Sequence, residues 1–477
     1  MIKKSNQIQD KKMSQNKAVG KYEAPIADYL LACSKSMEAN FHTLPVFSMK
    51  KGVKGFDKYA ALYGPKYFSL ESTMTGASFD SFFFPERIIK KSQGFVARAF
   101  GANDSLFITC GTTIANYIAV DAMTARGSRV LLDRDSHQSM HFALNGKSID
   151  HDYFYRKSYC KKTDRNFLDV DDLVTKVKNA VDNGRPYDLI IITASSYDGV
   201  INDIYKIIEK VVCISPKSSF LIDEAWSSAY YFHPLLEKYT AGYAAKKTNG
   251  EVNIVATQSA HKSLNSLRQG SLIHSFANDE ITKKLYKSRF KYHSTSPSYP
   301  ILASIDLARA QMERFGEELV NNAFTCASKF SVALKNKASL SKFIFKSNKA
   351  SLYEVSNGIC VEDPLKAHLD IDHLSIKGCE LQDHLFKNYG IYFNRFTEHT
   401  ALLNFHIGIN ESQVDRLLEG LVEMVKMKEI CQINEDDFVI SYPPGIPIRT
   451  PCERMNSQTR SIIQKRLKSG ISVFQVG

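Results

Sequence analysis

Between about residues 105 and 275, short apolar runs rich in β-branched residues alternate with stretches whose apolar positions recur at helical spacing. The runs predict strands over 105–109, 128–133, 188–195, 218–225, 252–259 and 271–276, and the stretch from Ile114 to Arg126 predicts a helix. The run at 188–195 (DLIIITAS) is almost unbroken in its apolar character, as a strand buried on both faces must be. This alternation predicts an α/β fold whose large domain has a mostly parallel sheet flanked by helices.

After about residue 310 the pattern changes. A long helix is expected over 305–335, strands near 342–346, 351–354, 391–395 and 402–409, and an amphipathic helix over 411–428. The mixture predicts a smaller α+β C-terminal domain. Residues 442–447 (YPPGIP) predict a rigid turn, and the tail a basic helix. The expected organisation is an N-terminal arm and helical segment over 1–54, a large domain over 55–305, a small domain over 306–435 and a C-terminal segment over 436–477. The first 20 or so residues, rich in Lys, Gln, Asn and Ser, predict a disordered arm.

Composition narrows the class. At 477 residues the chain exceeds what one core usually supports. No apolar run reaches the roughly 18 residues of a membrane helix, and the N-terminus has no apolar signal core, so a cytoplasmic protein without a membrane partner is expected. The nine cysteines form no CxxC pair, which argues against a zinc site or disulfide framework and for reduced thiols; no metal is expected. The net charge of +12 raises the question of nucleic acid. The basic residues are dispersed and carry no nucleic-acid-binding signature, so solvated surface is the expectation, with an anionic cofactor accounting for a little of it.

In open parallel sheets ligands bind at the carboxyl ends of the strands, so the residues following each strand matter most. After 105–109 come Cys110-Gly111-Thr112-Thr113, opening a helix: free N–H groups, the positive dipole end and two hydroxyls suit a phosphate. After 128–133 come Asp135-Ser136-His137, and after 188–195 Tyr197-Asp198-Gly199. Asp223 ends the next apolar run and is followed by Glu224 and Trp226, the only tryptophan. After 252–259, which ends in Ser259, come Ala260-His261-Lys262. A lysine there has an ammonium to desolvate, which lowers its pKa and makes the amine nucleophilic. Singly, each signal has an ordinary reading as an N-cap, a turn or a surface lysine. Together they place a phosphate cradle, an aromatic ring, a buried acid and an amine at one sheet edge, the parts that hold pyridoxal phosphate (PLP). In such a site the lysine forms the aldimine, the acid keeps the pyridine nitrogen protonated and the imidazole stacks on the ring.

The same residues carry a resemblance. Residues 257–262 (TQSAHK), followed by 269–274 (QGSLIH), resemble the cofactor-lysine segment of the ornithine/lysine/arginine decarboxylase family, which has the aspartate-aminotransferase fold, PLP fold type I. Segments 79–104, 110–116, 133–140, 193–199, 223–226, 293–304 and 442–447 resemble the family in the same order, so the likeness spans about residues 55–455. It implies that Lys262 is the Schiff-base residue, that Asp223 pairs with the pyridinium and that His137 stacks on the ring. Thr112, Thr113, Ser259 and His261 are implied around the phosphate and the lysine, with Trp226 a further cofactor contact. Ser294 and Thr295 resemble residues that reach the phosphate of a neighbouring subunit, which implies a homodimer or higher homo-oligomer with shared sites. The chain looks like the short form, without the receiver-like domain of larger members.

One departure bears on the substrate. Before 402–409 the larger enzymes commonly read Glu-Lys-Thr, whereas this chain reads Asn394-Arg395-Phe396, with Glu398 nearby. The expectation is decarboxylation of a basic amino acid (lysine, arginine or ornithine). Transamination or side-chain cleavage is the alternative.

Overall fold

The structure is a computed structural model that describes residues 23–36, 41, 43–72, 79–345, 350–431, 438–442, 446–451, 453–469 and 471–476. The chain divides into two compact units, Met1–Asn321 with Ala350–Asp363 and Asn322–Lys349 with Pro364–Gly477. The N-terminal arm expected over residues 1–20 lies outside the described residues.

The first unit is built on a seven-stranded sheet, its strands numbered here in chain order: β1 Asp104–Ile108, β2 Arg129–Asp133, β3 Asp150–Phe154, β4 Leu189–Thr193, β5 Ser219–Asp223, β6 Ile254–Gln258 and β7 Ser271–Ser275. Their spatial order is β1-β7-β6-β5-β4-β2-β3. β3, β2, β4, β5 and β6 run parallel, and β7 is antiparallel to both of its neighbours. Six strands fall where the apolar runs predict them. β3 was not foreseen: it is an edge strand of sequence DHDYF in which only Phe154 is buried, so it lacks an apolar run.

Side chains of the central strands alternate between two apolar layers, as the pleat requires. Ile190, Ile192, Phe220, Ile222 and Ile254 pack with helices Val170–Asp182, Ile204–Val212 and Ala241–Lys247. Leu189, Ile191, Leu221, Val255 and Ile273 pack with Gly111–Met123, Gln138–Gly146 and Leu285 of Asp279–Tyr292. All ten strand residues are fully buried, each worth about 1.5–3 kcal/mol. The helix after β1 begins at Gly111, three residues before the predicted Ile114, because its first turn is Gly-Thr-Thr and shows no apolar periodicity. Helix Pro25–Ser36 is fastened by Asp306, whose carboxylate accepts the Ile26 N–H at 2.8 Å and the Ser92 hydroxyl at 2.5 Å.

In the second unit, Lys366–Asp370, Thr400–Asn404 and Arg395–Phe396 form a three-stranded antiparallel sheet. Its core joins Leu369, Ala401 and Leu403 to Leu381 and Leu385 of helix Gly378–Tyr389 and Leu421 of helix Glu411–Cys431. Several expectations need correction. No strand forms at 342–345; Phe343 instead closes a turn on the Leu340 carbonyl. At 351–354 the chain is a helical turn, because Ser351 and Glu354 form a capping box in which each side chain accepts the other's backbone N–H. Phe438–Tyr442 pairs with both Ile446–Arg449 and Ser472–Val476, so helix Ser457–Lys468 is followed by a strand. Of the expected turn at 442–447, residues 443–445 lie outside the described residues.

His274 on β7 is wholly enclosed, stacked on Phe100 at 4.4 Å and hydrogen-bonded to Ser105 and Gln258. Burial pushes its pKa down to about 3. The unfolded chain therefore binds more protons than the folded one below about pH 6.5, and the folded state loses stability as pH falls from there toward 3. This one group should account for roughly 2 kcal/mol lost by pH 5. The thermal midpoint of His274→Gln should fall less between pH 7 and pH 5 than that of the wild type; equal slopes would contradict the assignment.

Candidate active site

The parallel strands deliver their following residues to one edge. Thr193, Asp223 and Thr257 stand side by side there, in register across β4, β5 and β6. Beyond them opens a cavity of about 670 Å³. Thr112, Thr113, His137, Asp223, Trp226, Ser259, His261 and Lys262 all line it, so eight of the residues singled out in the sequence meet at one place. Ser294 and Thr295 do not line it; both are exposed.

The floor is a cluster of hydroxyls. Thr112 Oγ1 lies 2.5 Å from Ser259 Oγ and 2.8 Å from Ser271 Oγ. Gly111, at φ +80°, makes the turn into the helix, and the Cys110 N-cap supplies no side-chain acceptor to its free N–H groups. The Gly111 N–H donates to Gln269 O, and His261 is fixed by hydrogen bonds to Gly270 O from its backbone N–H and through Nδ1. These bonds stitch the turns after β1 and β6 to the segment entering β7.

Asp223 ends β5 wholly enclosed, with the Ala225 N–H donating to Oδ1 at 3.0 Å. Burial raises its pKa, against the opposing pull of that N–H, Lys262, His137 and Asn116. Lys262 lies in the short turn after β6, its Nζ 4.4 Å from the centroid of Trp226, and Tyr197 meets that ring edge-on at 5.2 Å. Burial lowers the Lys262 pKa, with Asp223 pulling the other way. Both partners are thus drawn toward neutrality, because desolvation outweighs their mutual attraction.

These features fit PLP. The hydroxyl cluster at an uncapped helix N-terminus suits a phosphate. The enclosed carboxyl with a raised pKa lacks the full positive charge that a protonated pyridine would bring. Thr193 Oγ1, in the cavity wall, is buried without a hydrogen-bond partner.

Two residues in or directly behind the wall, Arg156 and Ser271, were not foreseen. Ser271 could have been found from its Gly270-Ser271 pair in the quoted segment. Arg156 carried no signal. It starts strand Arg156–Cys160, yet is almost wholly enclosed and forks onto Asp133, with Nε at 3.1 Å from Oδ1 and Nη2 at 2.5 Å from Oδ2. Among the described residues there is no His/Cys/Asp/Glu group able to hold a metal, and no helix is long and apolar enough to cross a membrane.

Comparison with known proteins places the chain. Residues 25–408 match the family model of the Orn/Lys/Arg decarboxylase major domain, and the chain belongs to that family. It is 23% identical to an arginine decarboxylase of Bacillus anthracis over 95% of both chains. It is 31% identical to the constitutive lysine decarboxylase of Escherichia coli over 50% of this chain and 33% of that longer one. Among solved structures it resembles the Francisella novicida lysine decarboxylase, with a TM-score of 0.70 and 17% identity, over 95% of this chain and 79% of that one. The fold is that of the PLP fold type I enzymes.

Replacing Arg156 with alanine would leave Asp133 charged and enclosed without its cation. Chemical denaturation of Arg156→Ala should show a loss of about 3–5 kcal/mol. A loss under about 1 kcal/mol would mean that the pair is dispensable.

Proposed function

We propose that this protein is a PLP-dependent decarboxylase converting a basic amino acid (lysine, arginine or ornithine) to the corresponding amine. The observation that carries the reading is the convergence of Lys262, Asp223 and the Thr112 and Ser259 hydroxyls on one cavity wall, with Ser271 bonded behind Thr112. Full-length arginine decarboxylases and lysine decarboxylases among the relatives support the substrate class.

PLP, when bound, supplies an aldehyde that takes the substrate's amine and a ring that accepts the electron pair left when a bond at Cα breaks. The chain's residues do the rest. Thr112, Thr113, Ser259, Ser271 and the N–H groups of their helix would hold the phosphate, with His261 keeping the adjoining turn in place. Asp223 would hold a proton on the ring nitrogen, and that cation would in turn keep its own carboxyl ionised. His137 and Trp226 would bound the cofactor with flat surfaces. Lys262, its amine made easier to deprotonate by burial, would accept or deliver a proton at Nζ.

The oligomer belongs to the same reading. Ser294 and Thr295 are exposed, and the loop that carries them is tied to the turn after β1 by His293, whose Nε2 accepts the Thr109 N–H at 3.0 Å while Nδ1 meets Ser294 O at 2.8 Å. We assign the two hydroxyls to the phosphate of a second copy's site, in a homodimer or higher homo-oligomer. A location in the cytoplasm is part of this proposal.

Arg395 sits in a two-residue strand opposite Leu402. Decarboxylation does not need a guanidinium clamp on the substrate carboxylate, since that binding must be lost as CO2 leaves.

The direct test is product analysis. Purified protein with PLP should release CO2 and amine from at least one of lysine, arginine and ornithine, and Lys262→Ala should abolish release while keeping the wild-type thermal midpoint. A keto acid or a side-chain fragment without CO2 would overturn the decarboxylase reading. For the shared site, Lys262→Ala subunits mixed with inactive Ser294/Thr295 double-alanine subunits should regain part of the activity. A fully active monomer in sedimentation would refute that assignment.

A further inference from the structure

Asn116 is enclosed in the second turn of helix Gly111–Met123, at 1% exposure, and lines the cavity. Its amide is hydrogen-bonded to two other elements. Oδ1 accepts the Thr257 hydroxyl of β6 at 2.7 Å. Nδ2 donates to Ser139 Oγ, at the start of helix Gln138–Gly146, at 2.9 Å. The Asn116 side chain also acts on the Asp223 carboxyl at the end of β5, the register neighbour of Thr257, and opposes the rise in its pKa. Ser139 continues the chain to His137: its Oγ lies 2.8 Å from His137 Nδ1, and its backbone N–H donates to the same nitrogen at 3.3 Å.

Only one proton arrangement satisfies this network. An amide oxygen accepts and an amide nitrogen donates. Because Thr257 occupies the oxygen, Nδ2 is the atom that donates to Ser139, and the pull on Asp223 that favours its charged form is that of the N–H side of the amide. Nδ1 of His137 receives the Ser139 backbone N–H, so it carries no proton, and its one lone pair is shared with the Ser139 hydroxyl as a second donor. The ring proton is thereby left on Nε2.

We infer that Asn116 is a positioning residue that holds the Asp223 carboxylate and, through Ser139, the His137 imidazole in one fixed arrangement. This rests on the reading of the cavity as the PLP site. Asn116 makes no contact with the reacting atoms in this role; it acts through Asp223 and His137. Its removal leaves two enclosed hydroxyls, of Thr257 and Ser139, short of a partner and takes the amide away from Asp223, and the cost should appear in cofactor binding and turnover together with the groups it serves.

The test is a double-mutant cycle read by titrating PLP into the apoprotein. Asn116→Leu should weaken PLP binding at least about tenfold in the wild-type background. In the Asp223→Asn background it should weaken binding less than about twofold further, because the residue it serves is already gone. In turnover, kcat should fall while KM stays within about threefold. Full additivity of the two substitutions would overturn the role, since a merely structural contribution adds independently. PLP binding the wild type and Asn116→Leu alike would overturn this role only; PLP failing to bind the wild type would overturn the cofactor reading as well. A second measurement needs no variant at Asn116. In ¹⁵N-histidine-labelled apoprotein, with His137 assigned by its loss in His137→Gln, Nδ1 should appear unprotonated and Nε2 protonated. A proton on Nδ1 would contradict the network.

Discussion

The site depends on a constraint of the sheet: five strands run parallel, so their carboxyl ends leave at one edge. The central strands are so apolar that the sheet must be covered on both faces, which leaves the edge as the place where polar side chains meet. β5 ends on Asp223, and β6 leads within four residues to Lys262. β1 leads to Gly111 and Thr112, and β2 to His137. Residues scattered over 150 positions of sequence thus line one cavity, and the register of β4 on β5 sets Thr193 beside Asp223 in its wall.

The electrostatics follow from that enclosure. Asp223 and Lys262 are close enough to influence each other, yet burial drives the carboxyl up and the amine down. Two groups pushed toward neutrality are poised for a ligand that brings a cation to one and an electrophilic carbon to the other. The hydroxyls of Thr112, Ser259 and Ser271 and the helix dipole complete the match with an anionic group at the far end.

The parallel sheet and the cavity were readable because their signals are of high contrast. Fully buried strands appear as unbroken apolar runs, and the residue after each run is the one the fold presents. Elements failed where contrast was low or local bonds won. β3 is a polar edge strand, and the first turn of the helix at Gly111 has no apolar residue. Residues 351–354 carry a short apolar pair that reads as a strand, but the Ser351–Glu354 box folds them into a helical turn. Arg156 and Asn116 share a different reason. Each matters through a partner distant in sequence, Asp133 for one and Asp223, Ser139 and Thr257 for the other, and a hydrogen bond between elements leaves no periodic trace.

The central claim is that the strand end at β6 presents Lys262 to the cofactor. The most direct measurement is borohydride reduction of the PLP-loaded protein, followed by proteolysis and peptide mass analysis. The account predicts a pyridoxyl group on the peptide containing Lys262 and on no other lysine peptide. A pyridoxyl group on a different lysine, or a wild-type chain that is left unlabelled, would contradict it.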